Sequence, residues 1–254
     1  MSSSLAEDAA SKEASKKEEP KNEIYFDYNK ARVSDLHTWW NTATPVYYRN
    51  TDYGKFGAGV NNENKYGNST QYFVDLNPRY KQMYGEIWLG FANNSQINFP
   101  TAQQMYNFYY TTKTALELSA GYGIKIYSNF SNEKIRTLTV QAGVYFGNYF
   151  MFIRPFYDLG QHIAFVEWGL ARFFSDAHNF IRIMVNGGTL PDIGNVPPLD
   201  QLIKETQLGI NANGQFSITK HLYFRWEIGY TKMMYPNFLR RYITDGTLGL
   251  LWRF

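Results

Sequence analysis

From Asn22 onward, apolar residues recur at every second position, in runs of about ten residues closed by turn formers. Between Leu222 and Tyr230, one face carries Leu222, Phe224, Trp226, Ile228 and Tyr230, and the other carries Tyr223, Arg225, Glu227 and Gly229. The runs 116–126, 138–146 and 164–171 repeat the alternation, which is the period of a strand whose two faces meet different surroundings. Placing turns at the punctuation predicts strands at 23–31, 37–49, 55–66, 70–80, 83–94, 101–111, 114–127, 133–146, 149–159, 161–174, 178–187, 202–217, 220–234 and 239–254. Fourteen strands is the reading and twelve the alternative; either even number brings both chain ends to one side.

The second face selects the architecture. In a soluble sandwich it would be rich in Lys, Glu, Thr and Ser and poor in Gly. Here it is rich in Gly and Tyr, with isolated Glu and Arg, as in a membrane barrel that turns apolar residues to lipid and small or polar residues to its lumen. The predicted fold is therefore an all-β, transmembrane, antiparallel up-and-down barrel over 22–254. Residues 1–21, MSSSLAEDAASKEASKKEEPK, read as a disordered charged tail without the apolar segment of a signal peptide, so any signal is absent or removed. Turns sort by side. Short ones fall on the side of the chain ends, and longer ones, above all Gly188 to Gln201, on the other. Pro45, Pro78, Pro155 and Pro236 lie at strand ends or inside strands, where each removes a ladder donor.

Composition narrows the function classes. Of 254 residues, 18% are aromatic, none is Cys, and the net charge is +3. The absent thiols exclude disulfides and Cys chemistry, and the scattered charge offers no stripe for nucleic acid. No segment reaches the ~18–20 consecutive apolar residues of a membrane helix.

Candidate chemistry is sparse. His37, His162, His178 and His221 form no metal-ligand spacing, and Ser175-Asp176-Ala177-His178 gathers triad residue types in a turn without the geometry a triad needs. No catalytic residue, cofactor or metal is expected. Glu86, Glu117, Lys125, Arg136, Arg154, Glu167, Arg182, Arg225 and Glu227 are assigned to the inward face. They form either a bracing network or a polar path for solutes. Trp88, Tyr145, Phe165 and Tyr223 are the inward aromatics. Trp39, Trp40, Tyr47, Tyr48, Tyr109, Tyr110, Phe173, Phe174 and Phe254 are read as lipid-interface girdles. The loop containing Leu190, Pro191 and Asp192 is the candidate extracellular recognition element.

Two resemblances follow. The final residues TLGLLWRF resemble the C-terminal signal read by the outer-membrane barrel assembly machinery, with Thr247, Gly249, Trp252 and Phe254 in its positions. The body resembles the YaiO-type outer-membrane β-barrel family. Asp75-Leu76-Asn77-Pro78-Arg79-Tyr80, Gly147-Asn148-Tyr149 with Arg154-Pro155-Phe156, and Ala171 to Phe180 followed by Gly187-Gly188-Thr189-Leu190-Pro191-Asp192 carry the likeness. Leu190 departs from the Ser that often precedes Pro-Asp in that family. The resemblance implies a Gram-negative outer membrane with periplasmic chain ends. The lipid bilayer and, transiently, the assembly machinery are the implied partners. The functional expectation is a non-enzymatic channel or export-linked barrel for small polar or saccharide material. The alternatives are a closed structural or surface-interaction barrel and, third, an enzyme acting on envelope lipid or polysaccharide.

Overall fold

The two-residue period becomes a closed sheet. The computed structural model describes residues 20–65, 67–93, 99–127, 133–174, 178–192, 203–235 and 240–254. Its strands are β1 (Asn22–Val33), β2 (Thr38–Thr51), β3 (Gly54–Asn64), β4 (Asn68–Tyr80), β5 (Met83–Ala92), β6 (Ala102–Thr111), β7 (Leu116–Tyr127), β8 (Glu133–Phe146), β9 (Tyr149–Asp158), β10 (Ile163–Phe173), β11 (Phe180–Asp192), β12 (Ile203–Ser217), β13 (Leu222–Met234) and β14 (Arg240–Arg253). Each pairs antiparallel with its sequence neighbours, and β1 pairs with β14 from Glu23 opposite Arg253 to Val33 opposite Ile243, so the barrel has no edge.

The end at which β1 starts and β14 finishes is termed the near end, and the other the far end. Connections at the near end are short, as the sequence predicts. The far end is mixed: the turns at 34–37 and 159–162 are as short as those at the near end, so length does not sort fully by side.

Alternation separates two surfaces. Phe26, Tyr72, Phe108, Val140, Ile153, Leu208, Ile228 and Leu248 are exposed on the outside. Between them, Glu23, Gln71, Asp75, Glu117, Gln141, Asn213 and Gln215 are buried inside. A sheet with its apolar face outward and its polar face enclosed requires an apolar solvent around it.

Three prolines interrupt the ladder in the same way. The β2–β3 register omits Thr44 and Pro45, the β4–β5 register omits Asn77 and Pro78, and the β8–β9 register resumes only beyond Val140 and Gln141, which face Pro155 and Arg154. The missing N–H opens a two-pair gap on one side while the opposite ladder continues. Side chains bridge two of the gaps: Thr44 donates to Asn61 at 2.9 Å, and Arg154 Nε donates to Gln141 at 2.7 Å. Pro236 lies outside the described residues.

The girdle assignment needs correction. Trp39, Tyr47, Tyr110, Phe174 and Phe254 are exposed, but Trp40, Tyr48 and Tyr109 are buried inside, and Phe173 packs on the inward cluster of Phe150, Phe152 and Ala171. Adjacent residues of one strand cannot share a face, so each aromatic doublet gives one ring to the outside and one to the lumen. The inward rings lie over glycine where space is short. A Cβ on Gly57 would sit 2.3 Å from the Tyr48 ring.

Candidate functional site

Strands β13, β14 and β1 to β3 form the wall that contains the closing seam. The regular alternation Glu23, Tyr25, Asp27 in β1 points all three inward. Glu23 accepts from Lys55 Nζ at 2.5 Å, Arg253 Nε at 3.1 Å and Asn50 at 3.1 Å, while Lys55 also donates to the Tyr25 hydroxyl at 2.8 Å. Asp27 pairs with Arg225 at 2.5 Å, and Tyr48 donates to Asp75 at 2.6 Å. At the far end, Arg241, 1% exposed, makes a two-oxygen bond to Asp35 in the β1–β2 turn. Trp40 and Tyr235 flank its guanidinium, among an inward apolar cluster of Val33, Met233 and Ile243.

The opposite wall, β5 to β9, is held differently. Glu117, fully buried, accepts from Tyr84 at 2.9 Å, Tyr145 at 3.2 Å and Gln141 at 2.8 Å. Gln141 in turn accepts from Arg154, so acid and guanidinium communicate through an amide. Glu86 accepts from Asn107 at 3.2 Å and Tyr109 at 3.3 Å, and the Tyr84 and Tyr109 rings stack at 4.4 Å.

Between these walls, in the near-end half, lies a cavity of about 780 Å³. One side is aromatic, with Phe150, Phe152, Phe173 and Phe180; the other is charged, with Glu23, Asp27, Lys55, Arg225, Glu227 and Arg253. Arg182 and Asn213 face each other across β11–β12 and also line it. Arg182 Nε and Asn213 Nδ2 are buried with no hydrogen-bond partner among the described residues.

Of the predicted lumen charges, Glu86, Glu117, Arg154, Glu167, Arg182, Arg225 and Glu227 are inward. Glu167 stands directly opposite Arg154, and Arg182 lies in the field of Glu167, Glu227, Arg154 and Arg225. Lys125 takes the inward phase near the far end, opposite buried Ile135. Arg136 does not belong with them: it is exposed, in phase with Leu138 and Val140, and faces outward. The even positions of β8 are the lipid face, so period two itself places it outside. Trp88, Tyr145, Phe165 and Tyr223 are inward. Sequence reasoning missed the seam pairs of Glu23, Asp27, Lys55 and Asp35. The alternation in NEIYFDYN signals the first two.

Leu190, Pro191 and Asp192 are not in the loop. They extend β11, opposite Glu205, Lys204 and Ile203, so the connection runs from 193 to 202, outside the described residues. Ser175, Asp176 and Ala177 also lie outside them. His37 and His162 occupy far-end turns with positive φ, His178 lines the cavity, and His221 Nδ1 is 3.0 Å from the Arg253 carbonyl. Among the described residues no three His, Asp or Glu side chains are grouped to hold a metal ion. Thr247, Gly249, Trp252 and Phe254 lie on the closing strand or at its end, with Thr247 and Gly249 inward and the two aromatics exposed. A Cβ on Gly249 would lie 1.9 Å from Asp27 Oδ1 and 2.9 Å from the Phe26 carbonyl, so lumen packing by itself accounts for glycine there.

A closed sheet of fourteen antiparallel strands, apolar outside and polar within, defines a membrane β-barrel. The YaiO membrane beta barrel domain matches residues 21–193, and the chain belongs to that family of outer-membrane barrels. No curated protein sequence matches the chain. Among solved structures it is similar to a bacterial polysaccharide outer membrane secretin, at 8% identity and TM-score 0.53 over 93% of this chain and 99% of that one. It is similar also to the CymD monoaromatic hydrocarbon channel, at 6% identity and TM-score 0.53 over 93% and 89%. At these identities the likeness is one of fold.

Proposed function

We propose that this barrel is a non-enzymatic channel, or the barrel of an export route, for small polar or saccharide molecules. The two-sided cavity carries the reading. Phenylalanine rings on one side suit the face of a sugar ring, and the charged side chains on the other suit its hydroxyls. The two solved relatives differ in what their names say they handle, so the cargo reading rests on this lining alone. In this reading the near end is periplasmic, and the closing strand presents Thr247, Gly249, Trp252 and Phe254 to the assembly machinery.

Conductance of the purified barrel in planar bilayers, with swelling of liposomes in small sugars, tests it. Ion passage and sugar-dependent swelling are expected. A barrel that passes neither ions nor sugars overturns the channel reading. It would favour the closed structural barrel, for which the apolar cluster around Arg241 at the far end speaks.

A further inference from the structure

The outward face separates charge by sign. No Asp or Glu among the described strand side chains takes an outward position, yet Lys and Arg do. Seven of these cations lie within three residues of the far end: Lys30 and Arg32 on β1, Lys134 and Arg136 on β8, Lys204 on β12, Lys232 on β13 and Arg240 on β14. Among the described strand side chains at the near end, only Arg49 and Arg172 face outward. A zwitterionic interface would tolerate both signs at this depth, where long side chains reach the headgroups. Exclusive use of cations indicates an anionic surround.

Five of the seven form one patch. Strands β12, β13, β14 and β1 are consecutive neighbours about 4.8 Å apart, so Lys204, Lys232, Arg240, Arg32 and Lys30 span about 15 Å across the strands, stepping along them in a diagonal row from Lys204, whose Nζ also donates to the Gln161 carbonyl at 3.2 Å, to Lys30. Tyr242 lies opposite Lys232 and stacks on Tyr230 at 6.2 Å, and Lys30 lies 4.7 Å over the Trp39 ring. Toward the middle of β1, β13 and β14 the face is apolar, with Phe26, Ile228 and Leu248 exposed. The order from the far end toward the middle is cation, aromatic, aliphatic, which matches phosphate, glycosidic interface and acyl chain.

We infer that the far-end arc over β12, β13, β14 and β1 binds a diphosphorylated glycolipid of the outer leaflet, its phosphates on the five cations and its acyl chains along the apolar strands. A second copy of this chain does not fit, because the described outward strand face offers no carboxylates to meet the cations. Binding here also orients the barrel, with the far end at the outer leaflet.

The test uses the full chain folded in zwitterionic detergent, with native mass spectrometry counting bound lipid as diphosphoryl lipid A, its dephosphorylated form or phosphatidylglycerol is titrated. Diphosphoryl lipid A is expected to be retained preferentially and to be released by salt. Lys232→Gln with Arg240→Gln is expected to weaken it by about tenfold or more, and Arg49→Gln with Arg172→Gln to leave it unchanged. Equal retention of dephosphorylated lipid A or phosphatidylglycerol overturns the inference, as does full retention by the folded Lys232/Arg240 variant. Heat-modifiable gel migration reports whether each variant has folded. Should the far-end variant not fold, the wild-type preference among the three lipids decides the matter.

Discussion

Across the lumen from each other, the seam wall and the wall of β5 to β9 solve the same problem with different chemistry. Both must bury polar side chains in a barrel whose outside is apolar. The seam wall does so with ion pairs, Lys55–Glu23, Arg253–Glu23, Arg225–Asp27 and Arg241–Asp35, each of which includes a residue of β1 or the turn after it. The opposite wall uses tyrosine and amide donors around Glu117 and Glu86. The difference follows from sequence distance. Strands β5 to β9 are joined by short or moderate connections, so chain connectivity helps to set their register. The seam joins Glu23 to Arg253 across 230 positions, and nothing local fixes which residues meet. A slip of one residue there would turn Arg253 to lipid and strand Glu23 in the lumen. Charge pairing makes the correct register far better than its neighbours.

The sharpest way to break this comparison is Glu23→Ala. It leaves Lys55 and Arg253 without their shared carboxylate, and loss of one partner of a buried pair costs about 3–5 kcal/mol. Urea unfolding of the folded barrel, followed by heat-modifiable migration, should show the largest loss of any change discussed here. A loss no greater than that of the Glu117 change below would remove the distinction between the walls.

Next in size is Gly249→Ala. The added methyl overlaps Asp27 and presses on the Phe26 carbonyl, disturbing the Arg225 pair at a cost of about 1–3 kcal/mol. The measurement is refolding from urea into detergent, where no assembly machinery exists. A defect in that setting assigns the glycine to packing. Normal refolding together with failed assembly in cells assigns it to the signal.

On the opposite wall, Glu117→Gln keeps an acceptor for Tyr84 and Tyr145 but turns an amide toward the donating side of Gln141, whose own oxygen is occupied by Arg154. One lost charge-assisted bond predicts a loss of about 1–2 kcal/mol in the same urea experiment.

How much of this was legible in the sequence follows from what period two can and cannot encode. The alternation in Leu222 to Tyr230 and its counterparts was enough for fourteen strands, closure and the inward placement of Glu117, Arg154 and Arg225, because facing is a local property of a strand. The errors are local too. Residue type misplaces Arg136 and one ring of each doublet Trp39-Trp40, Tyr47-Tyr48 and Tyr109-Tyr110, whereas position parity places them correctly. Leu190-Pro191-Asp192 reads as loop by composition, yet β12 supplies partners that carry the strand on to Asp192. Which charges meet was not legible at all. The pairs Arg225–Asp27 and Arg241–Asp35 join residues about 200 positions apart, and strand tilt and register, not spacing in the chain, bring them together.

The smallest effect expected lies at the far end of the seam, where the Arg241–Asp35 bond fastens the β1–β2 turn to β14. Burial alone would raise the Asp35 carboxyl, but the hydrogen bonds and charge of Arg241 outweigh it and hold the group below its usual range. A carboxyl depressed in the folded state lends its full stability above the unfolded pKa, roughly 4, and loses it as pH falls through the lower folded value. Wild-type barrel should therefore lose up to about 1 kcal/mol between neutral and acid pH that Asp35→Asn does not lose, since the carboxyl is partly exposed and screened. Urea midpoints of the two proteins across that range measure the difference. Parallel pH profiles would show that Trp40 and Tyr235, packed on either side of Arg241, hold this end without the carboxylate, and that ion pairing secures the seam only at its near end.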